Sequence, residues 1–182
     1  MKDLILSPLG LRAGNKLFPC VIGKNGISKL KKEGDGKTPT GKHQIVGMLY
    51  RPDKISQPRK WALPIRPRDI WSDDVKDPNY NLMGTSPSSF GHERLFRSDQ
   101  LYDLVIITNW NWPYAVKGRG SAIFIHSWRK TVYPTEGCIG LSKGNLLKVA
   151  EFIDYGSKLI IPATLHDHQR WRSQLEYGSL RN

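Results

Sequence analysis

One cysteine of this chain stands in a setting that suits chemistry. In the stretch YPTEGCIGLS, Tyr133 to Ser142, Cys138 directly follows Gly137 and comes two residues after Glu136. A nucleophilic thiol needs a backbone turn that presents its sulfur, donors that bind an oxyanion, and a base that takes its proton. Because Gly137 has no Cβ, the backbone there can approach a substrate closely, and the amides of Gly137 and Cys138 are the predicted oxyanion donors. The pattern therefore predicts that Cys138 is a nucleophile.

The predicted base is His126, near the end of the apolar run AIFIHSW that starts at Ala122. An imidazole accepts a thiol proton near neutral pH and later returns it to a leaving amine. The alternative is that Cys138 is a small buried residue and His126 a hydrogen-bonded histidine at a strand end. Flanking glycines and polar neighbours favour the chemical interpretation. For Cys20, within FPCVIG, burial is favoured instead, because free cysteines are among the most buried residues.

Short strands separated by turns are the elements that must hold these residues. β-branched or aromatic residues recur in six runs: DLILSP, LFPCVIG, KHQIVGMLY, LYDLVIITNW, SAIFIHSW and SKLIIPA. Stretches rich in glycine and proline mark turns at 23–26 and 34–41. One helix is predicted between the N-cap Ser142 and Gly156. Its apolar stripe consists of Leu146, Leu147, Ala150, Phe152 and Ile153. The sequence thus predicts a mainly β (α+β) fold with one helix after Cys138.

A long polar section, residues 51–97, interrupts the strand runs and shows little periodicity. It nevertheless contains several large side chains: Trp61, Trp71, Tyr80, Met83 and Phe90. Disordered linkers rarely carry so many aromatic residues, so we expect an ordered segment that covers another part of the protein. We predict one domain over residues 1–163 and a polar tail over 164–182. In that tail, the group His166, Asp167 and His168 is interpreted as solvated rather than as a metal site.

Charge and composition restrict the partners of the protein. The chain of 182 residues has a formal net charge of +12, which favours polyanions such as nucleic acid, an anionic membrane face or an acidic polymer. The basic residues form no nucleic-acid-binding signature, so no specific nucleic acid is predicted, and a solubilising surface is the equal alternative. No apolar run is long enough for a transmembrane helix. Two cysteines without metal-ligand spacing predict free thiols, and neither a metal nor a cofactor is expected.

Two stretches carry a resemblance to a known family. GRGSAIFIHSW followed by PTEGCIGLS resembles the L,D-transpeptidase (YkuD-type) catalytic domain, whose signature is a strand histidine and, further on, Ser/Thr-His-Gly-Cys. The residues that match this signature are His126, Thr135, Gly137 and Cys138. DGKTPTGKHQI, residues 35–45, is similar to the family's Lys-x-Pro-x-Gly segment, where a strand pair begins. The likeness covers roughly residues 4–163, and its specific part lies at 118–142.

Three departures mark a divergent branch of that family. Glu136 stands where the family usually has a second histidine, and Gly140 stands where an arginine or asparagine is common. Only residues 127–134 separate His126 from Thr135, which is fewer than usual. The predicted nucleophile, base and glycine of the family are all retained. The departures therefore affect which acceptor and which substrate the protein uses more than they affect the formation of a thioester on the cysteine.

The resemblance implies a β-sandwich fold and acyl transfer on peptidoglycan stem peptides. It implies that Cys138 attacks the carbonyl at the L-centre of diaminopimelate in a stem tetrapeptide and that D-Ala leaves with a proton from His126. An amine of a neighbouring stem, a free D-amino acid or water then resolves the thioester. Cross-linking, exchange and L,D-carboxypeptidase activity therefore share one site. The residues expected to bind substrate are Arg119, Thr135, Glu136, Tyr133 and Trp128.

Several of these residues have an alternative, structural role. Glu136 either binds an acceptor ammonium or caps the turn. Arg119 either holds stem carboxylates through its guanidinium fork or forms a surface ion pair. For the aromatic residues Tyr133 and Trp128, packing is the favoured role.

Alternatives also exist for the protein as a whole. A basic module that binds cell-wall polymer or another polyanion without catalysis is the rival from a different class. A cysteine peptidase or amidase of another fold is disfavoured, because His126 precedes Cys138 and both lie on strand and turn elements. The family implies a periplasmic or envelope location, whereas the start of the chain shows no export signal, which leaves a cytoplasmic location open.

Overall fold

The computed structural model describes residues 2–130 and 133–165 of the chain. The tail predicted over 164–182, with the group His166, Asp167 and His168, lies outside the described residues from position 166 onward. Within the described ranges the strands are β1 (Leu4–Ser7), β2 (Gly10–Ala13), β3 (Lys16–Phe18), β4 (Cys20–Val21), β5 (Ile27–Ser28), β6 (Thr38–Pro39), β7 (Gly41–Tyr50), β8 (Leu63–Pro64), β9 (Asp69–Ser72), β10 (Met83–Thr85), β11 (His92–Arg94), β12 (Leu104–Thr108), β13 (Phe124–Ser127), β14 (Ile139–Leu141) and β15 (Lys158–Ile161). The helix α1 spans Lys143–Phe152 within the same ranges.

Ten strands form one large sheet. Its order is β3-β2-β1-β15-β7-β12-β13-β14-β4, and β8 pairs with β7 beside this path. The long strand β7 joins two halves, because its residues 41–44 pair with β15 and its residues 45–50 pair with β12. Buried side chains of both halves belong to one apolar core, so the halves pack face to face as a sandwich. The mainly β fold predicted from the sequence is confirmed.

Helix α1 follows β14 closely and packs on this first core. The side-chain oxygen of Ser142 accepts a hydrogen bond from the amide of Asn145, which satisfies an N–H group at the helix start. The buried side chains of the helix are Leu146, Val149 and Ala150. The predicted N-cap is confirmed, but the helix ends at Phe152, before Gly156, because Ile153 adopts an extended conformation. Among the described residues, no helix is long and apolar enough to cross a membrane.

A second apolar core lies on the opposite face of strands β7, β12 and β13. Side chains alternate along these strands, so that Met48, Ile106 and Ile125 belong to the first core and Leu49, Ile107 and Phe124 to the second. Residues 51–97, here called the cover segment, contain β8 and the small sheet β10-β9-β11. The segment contributes Ala62 to the first core and Ile65, Trp71 and Leu95 to the second. Trp71 of β9 packs edge-on against Phe124, with ring centroids 4.9 Å apart. Trp71 therefore fixes β9 to the large sheet.

Candidate active site

Two adjacent strands bring the candidate base and the candidate nucleophile together. Strand β13 carries His126, and Cys138 immediately precedes β14, which pairs with β13 in parallel. In this register His126 lies beside Gly140, so that Cys138 comes to lie beside Phe124. Because side chains alternate along a strand, His126 shares a face with Phe124, and that is the face under the cover segment.

A cavity of about 590 Å³ lies on this face, a volume within the range of small-ligand sites. The residues predicted from the sequence that line it are His126, Trp128, Tyr133, Thr135, Glu136, Gly137 and Cys138. The cover segment adds Asp73, Glu93 and Arg97 to the wall. Within the described part of the chain, no three His, Cys, Asp or Glu side chains are grouped so that they can hold a metal ion.

The Cys138 thiol is held between two backbone groups of the neighbouring chain segment. Its Sγ donates to the carbonyl oxygen of Ala122 at 2.9 Å and accepts from the amide of Phe124 at 3.3 Å. Ala122 has a left-handed φ of 50°, which is strained for a residue with a Cβ. Burial raises the pKa of Cys138 to about 12, and the nearby charge of Glu93 adds to this effect. The thiol is therefore protonated at neutral pH.

The His126 imidazole is only 8% exposed. Its Nδ1 lies 2.7 Å from the carbonyl oxygen of Ser127, which can only accept, so Nδ1 carries the proton and donates it. Nε2 then keeps a lone pair. Burial lowers the pKa of His126 to about 4, although the Ser127 carbonyl opposes this shift. The resting site thus combines a neutral thiol with a neutral base.

The turn before the nucleophile leaves no room for a side chain. Gly137 has a φ of 145°, and a Cβ at this position would lie 2.8 Å from the carbonyl oxygen of Lys37. The hydroxyl of Thr38 donates to the carbonyl oxygen of Gly137 at 2.8 Å and accepts from the amide of Gly23 at 2.9 Å. Segment 35–45, which carries the second part of the family resemblance, therefore supports the turn that presents the thiol.

The hydroxyl of Thr135 braces the same turn from within. It donates to the carbonyl oxygen of Cys138 at 2.6 Å and accepts from the amide of Gly137 at 3.2 Å. The amide predicted to bind an oxyanion is thus engaged in the resting site. Because 3.2 Å is at the long end of the usual range, a charged oxyanion can compete with the hydroxyl for this amide.

The other predicted substrate residues in the wall are partly open to solvent. The carboxylate of Glu136 forms an ion pair with the ammonium of Lys24 at 2.8 Å. Exposed ion pairs of this kind contribute little to the stability of a protein. Tyr133 is 45% exposed, and the Arg129 guanidinium lies 5.4 Å from the centre of its ring. Trp128 is partly buried directly after β13. These side chains line the cavity and are also in contact with solvent.

Two residues singled out from the sequence do not line the cavity. The guanidinium of Arg119 lies 5.0 Å from the centre of the Trp110 ring. A Cβ at Gly140 would lie 2.7 Å from Cγ2 of Val21 on β4. This contact gives a packing reason for the glycine that stands where the family commonly has arginine or asparagine.

Sequence reasoning missed the polar residues through which the cover segment meets the site. The Oδ1 atom of Asn81 accepts hydrogen bonds from Nε1 of Trp71 at 3.0 Å and from the amide of Ala122 at 2.9 Å. Asn81 thus links the cover segment to Ala122, whose carbonyl oxygen accepts from the Cys138 thiol. Burial raises the pKa of the Glu93 carboxyl, and a hydrogen bond with Tyr102 opposes this shift. The many aromatic residues of the cover segment were the signal that could have indicated these residues. They predict an ordered segment, and an ordered segment places some of its polar residues on the face that it covers.

Comparisons with known proteins identify the family of the chain. Residues 11–161 match the YkuD family, the L,D-transpeptidase catalytic domain. No curated protein sequence matches the chain. Among solved structures, an L,D-transpeptidase from Mycobacterium smegmatis is similar at 14% identity and a TM-score of 0.41, over 88% of this chain and 59% of that chain. The chain thus spans less than two thirds of the length of that protein. Since the family match includes most of its residues, the chain belongs to the YkuD family of L,D-transpeptidase catalytic domains.

Proposed function

We propose that the protein is an L,D-transpeptidase that acts on peptidoglycan stem peptides through a thioester on Cys138. The observation that carries the proposal is that His126 on β13 and Cys138, directly before the neighbouring strand β14, line one cavity. In a domain of this family, that arrangement supports acyl transfer by the thiol. The net charge of +12 suits a substrate rich in carboxylates, and such a substrate implies an envelope location.

In the first step, the thiol turns from the Ala122 carbonyl toward the imidazole, and Nε2 of His126 takes its proton. The sulfur of Cys138 attacks the carbonyl carbon at the L-centre of diaminopimelate, and the amides of Gly137 and Cys138 bind the resulting oxyanion. The bond from this carbon to the nitrogen of D-Ala then breaks. His126 returns its proton to the leaving amine, and a thioester remains.

The raised pKa of Cys138 and the lowered pKa of His126 determine at which point of the reaction these two groups become charged. Burial favours the protonated thiol of Cys138 and the neutral imidazole of His126, so an ion pair is disfavoured in the empty site. Proton transfer therefore becomes favourable as the sulfur attacks, because the negative charge then passes to the bound oxyanion. The thiol consequently stays unreactive until an acyl donor fills the cavity.

The second step decides which product forms. An amine of a neighbouring stem, a free D-amino acid or water attacks the thioester carbonyl, and the sulfur leaves and regains a proton. Water as the acceptor makes the protein an L,D-carboxypeptidase with the same site. We place the substrate along Thr135, Glu136, Tyr133 and Trp128, which line the cavity. Arg119 does not line it, so it receives no substrate contact in this proposal.

The proposal is tested by measuring D-Ala release from the stem tetrapeptide L-Ala-γ-D-Glu-meso-diaminopimelate-D-Ala. We expect release by the unmodified protein and a loss of at least about a thousandfold in Cys138→Ala, because the thioester cannot form. Cys20→Ala removes the other thiol, which packs against the first core, and serves as the matched control. Undiminished D-Ala release by a folded Cys138→Ala protein contradicts the proposal.

A further inference from the structure

Ala122 is a strained residue at the candidate active site. Its φ of 50° lies in the left-handed region, which is unfavourable for a residue with a Cβ. Its carbonyl oxygen accepts from the Cys138 thiol, and two residues later the amide of Phe124 donates to the same sulfur. A strained backbone conformation persists only where neighbouring groups hold it. The groups that hold Ala122 therefore also hold the nucleophile.

The side chain of Asn81 binds the backbone of this strained residue. Its Oδ1 accepts from the amide of Ala122 at 2.9 Å and from Nε1 of Trp71 at 3.0 Å. Its Nδ2 donates to the carbonyl oxygens of Asn111 at 2.7 Å and of Trp110 at 3.1 Å. Because both partners of Oδ1 can only donate and both partners of Nδ2 can only accept, the orientation of the amide is fixed. Asn81 is 1% exposed, so water does not compete for these bonds.

The segment that Asn81 holds connects the nucleophile to the base. Residues 120–123 lie outside the strands and lead directly into β13, which carries His126. The hydroxyl of Tyr80, the residue before Asn81, accepts from the amide of Gly120 at 3.2 Å. Two adjacent side chains of the cover segment thus hold the amides of residues 120 and 122. Because the segment contacts the sulfur and continues into the strand of the base, its conformation sets the position of one relative to the other.

We propose that Asn81 is a positioning residue for the acyl transfer and that it acts by holding the Ala122 peptide in its strained conformation. The assignment rests on the proposed function and adds a residue of the cover segment to the mechanism. Without the side chain of Asn81, Ala122 relaxes toward a negative φ, and its carbonyl oxygen turns away from the Cys138 thiol. The sulfur then has no fixed position from which to pass its proton to His126, so kcat falls while KM changes little.

A purely structural role, in which Asn81 only fastens the cover segment, predicts a different response to the substitution Ala122→Gly. Glycine adopts a left-handed φ without strain, so this substitution removes the need for a group that holds the residue. If Asn81 acts through Ala122, its removal costs less activity in the Ala122→Gly protein than in the unmodified protein. If Asn81 only fastens the cover segment, the cost is the same in both proteins.

The test measures kcat and KM for D-Ala release from the stem tetrapeptide in Asn81→Gly, in Ala122→Gly and in the double variant. Glycine suits the φ of 61° at position 81, so Asn81→Gly introduces no strain of its own. Each kcat is divided by the folded fraction, which is taken from urea unfolding. We expect Asn81→Gly to lower this kcat by at least about tenfold, with KM changed by less than about twofold. In the Ala122→Gly protein, we expect the same substitution to lower kcat by less than about threefold.

Asn111→Gly is the matched control. Asn111 is a buried asparagine with a φ of 50°, and its Nδ2 donates to the carbonyl oxygen of Gly120 at 3.0 Å. The substitution removes a side chain of the same kind that binds the same segment, but it leaves the bond between Asn81 and Ala122 in place. We expect it to lower the free energy of unfolding and to leave kcat per folded molecule within about twofold.

Asn81→Asp is a second variant, which keeps the assignment testable if Asn81→Gly does not fold. The aspartate retains the oxygen that accepts from the amide of Ala122, but it has no N–H groups for the carbonyl oxygens of Trp110 and Asn111. We expect stability to fall, because those carbonyl oxygens lose their donors, and kcat per folded molecule to stay within about threefold. A loss of kcat in Asn81→Asp of tenfold or more, at about the level expected for Asn81→Gly, contradicts the assignment.

Full kcat per folded molecule in Asn81→Gly overturns the assignment and leaves the proposed function standing, because D-Ala is still released. An equal loss of kcat with and without Ala122→Gly also overturns it, because Asn81 then acts on the cover segment and not through Ala122. If the unmodified protein releases no D-Ala, the proposed function fails, and the assignment fails with it.

Discussion

The residue before the nucleophile is the position at which the site tolerates least change. We expect Gly137→Ala to lower D-Ala release by at least about tenfold and the free energy of unfolding by about 2 kcal/mol. A φ of 145° is strained for alanine, and the Cβ would meet the Lys37 carbonyl oxygen at 2.8 Å, so the turn must shift. Urea unfolding and the D-Ala assay measure the two effects.

The matched control for this substitution is Gly144→Ala. Gly144 lies in α1, and a Cβ there has open space around it, so activity is expected to stay unchanged. A Gly137→Ala protein with full activity and full stability would contradict the view that this turn must be glycine.

Residue type and spacing were sufficient to single out Cys138, His126 and Gly137. A nucleophile requires a thiol, a base requires an imidazole, and the turn before the nucleophile requires a residue without a Cβ. The structure places all three at one cavity. The bracing role of Thr135 was not predictable, since its partners are set by the conformation of the turn. Glu93 was missed because its place near the thiol depends on how the cover segment folds.

At the scale of elements, the contact between β6 and the turn before the nucleophile is open to test. Thr38→Val removes a buried hydroxyl that bonds to the Gly137 carbonyl and the Gly23 amide, and it leaves both groups without this partner. We expect the free energy of unfolding to fall by about 2 kcal/mol and D-Ala release to fall with it. Urea unfolding is the measurement, and Thr85→Val at an exposed position of β10 is the control. Equal stability of the two variants would show that this bond does not hold the turn.

Helix α1 was predictable because its signals are local: an N-cap at Ser142 and an apolar stripe that follows it. The division of β7 between two halves of the sheet was not predictable, because its partners β15 and β12 lie far away in the sequence. The small sheet of the cover segment was missed for a related reason. Its strands β9 to β11 are three or four residues long, too short to show a clear alternation of apolar and polar residues.

For the whole molecule, burial of His126 predicts a loss of stability in acid. Folded His126 has a pKa of about 4, whereas its ordinary value is 6.5, so the unfolded chain binds more protons between these pH values. Stability is then complete above about pH 6.5 and falls by roughly 3 kcal/mol as the pH drops toward 4. Burial also lowers the pKa of His43, which acts in the same direction.

The free energy of unfolding in urea at pH 7.5, 6.0 and 4.5 measures this dependence. His126→Asn removes the titrating ring, so its loss of stability in acid is expected to be shallower. The comparison separates His126 from the carboxyl groups that titrate in the same range. Parallel pH dependence of the two proteins would contradict the burial of a neutral imidazole.

The mainly β architecture was predictable because strand signals are spread over most of the chain, and the family resemblance added the sandwich. The net charge of +12 was known from composition, but its uneven distribution was not. Folding brings the cover segment over the sheet and so places the carboxylates of Asp73 and Glu93 beside Arg97 in the cavity wall.

The most direct test of the central claim is the intact mass of the protein after mixing with a carbapenem, whose strained ring offers an acyl group to a nucleophilic thiol. We predict an adduct of one intact carbapenem on the unmodified protein and on Cys20→Ala, and no adduct on Cys138→Ala. An adduct that persists in Cys138→Ala would contradict the claim that Cys138 is the acyl acceptor, as would a lack of any adduct with both the carbapenem and the stem tetrapeptide.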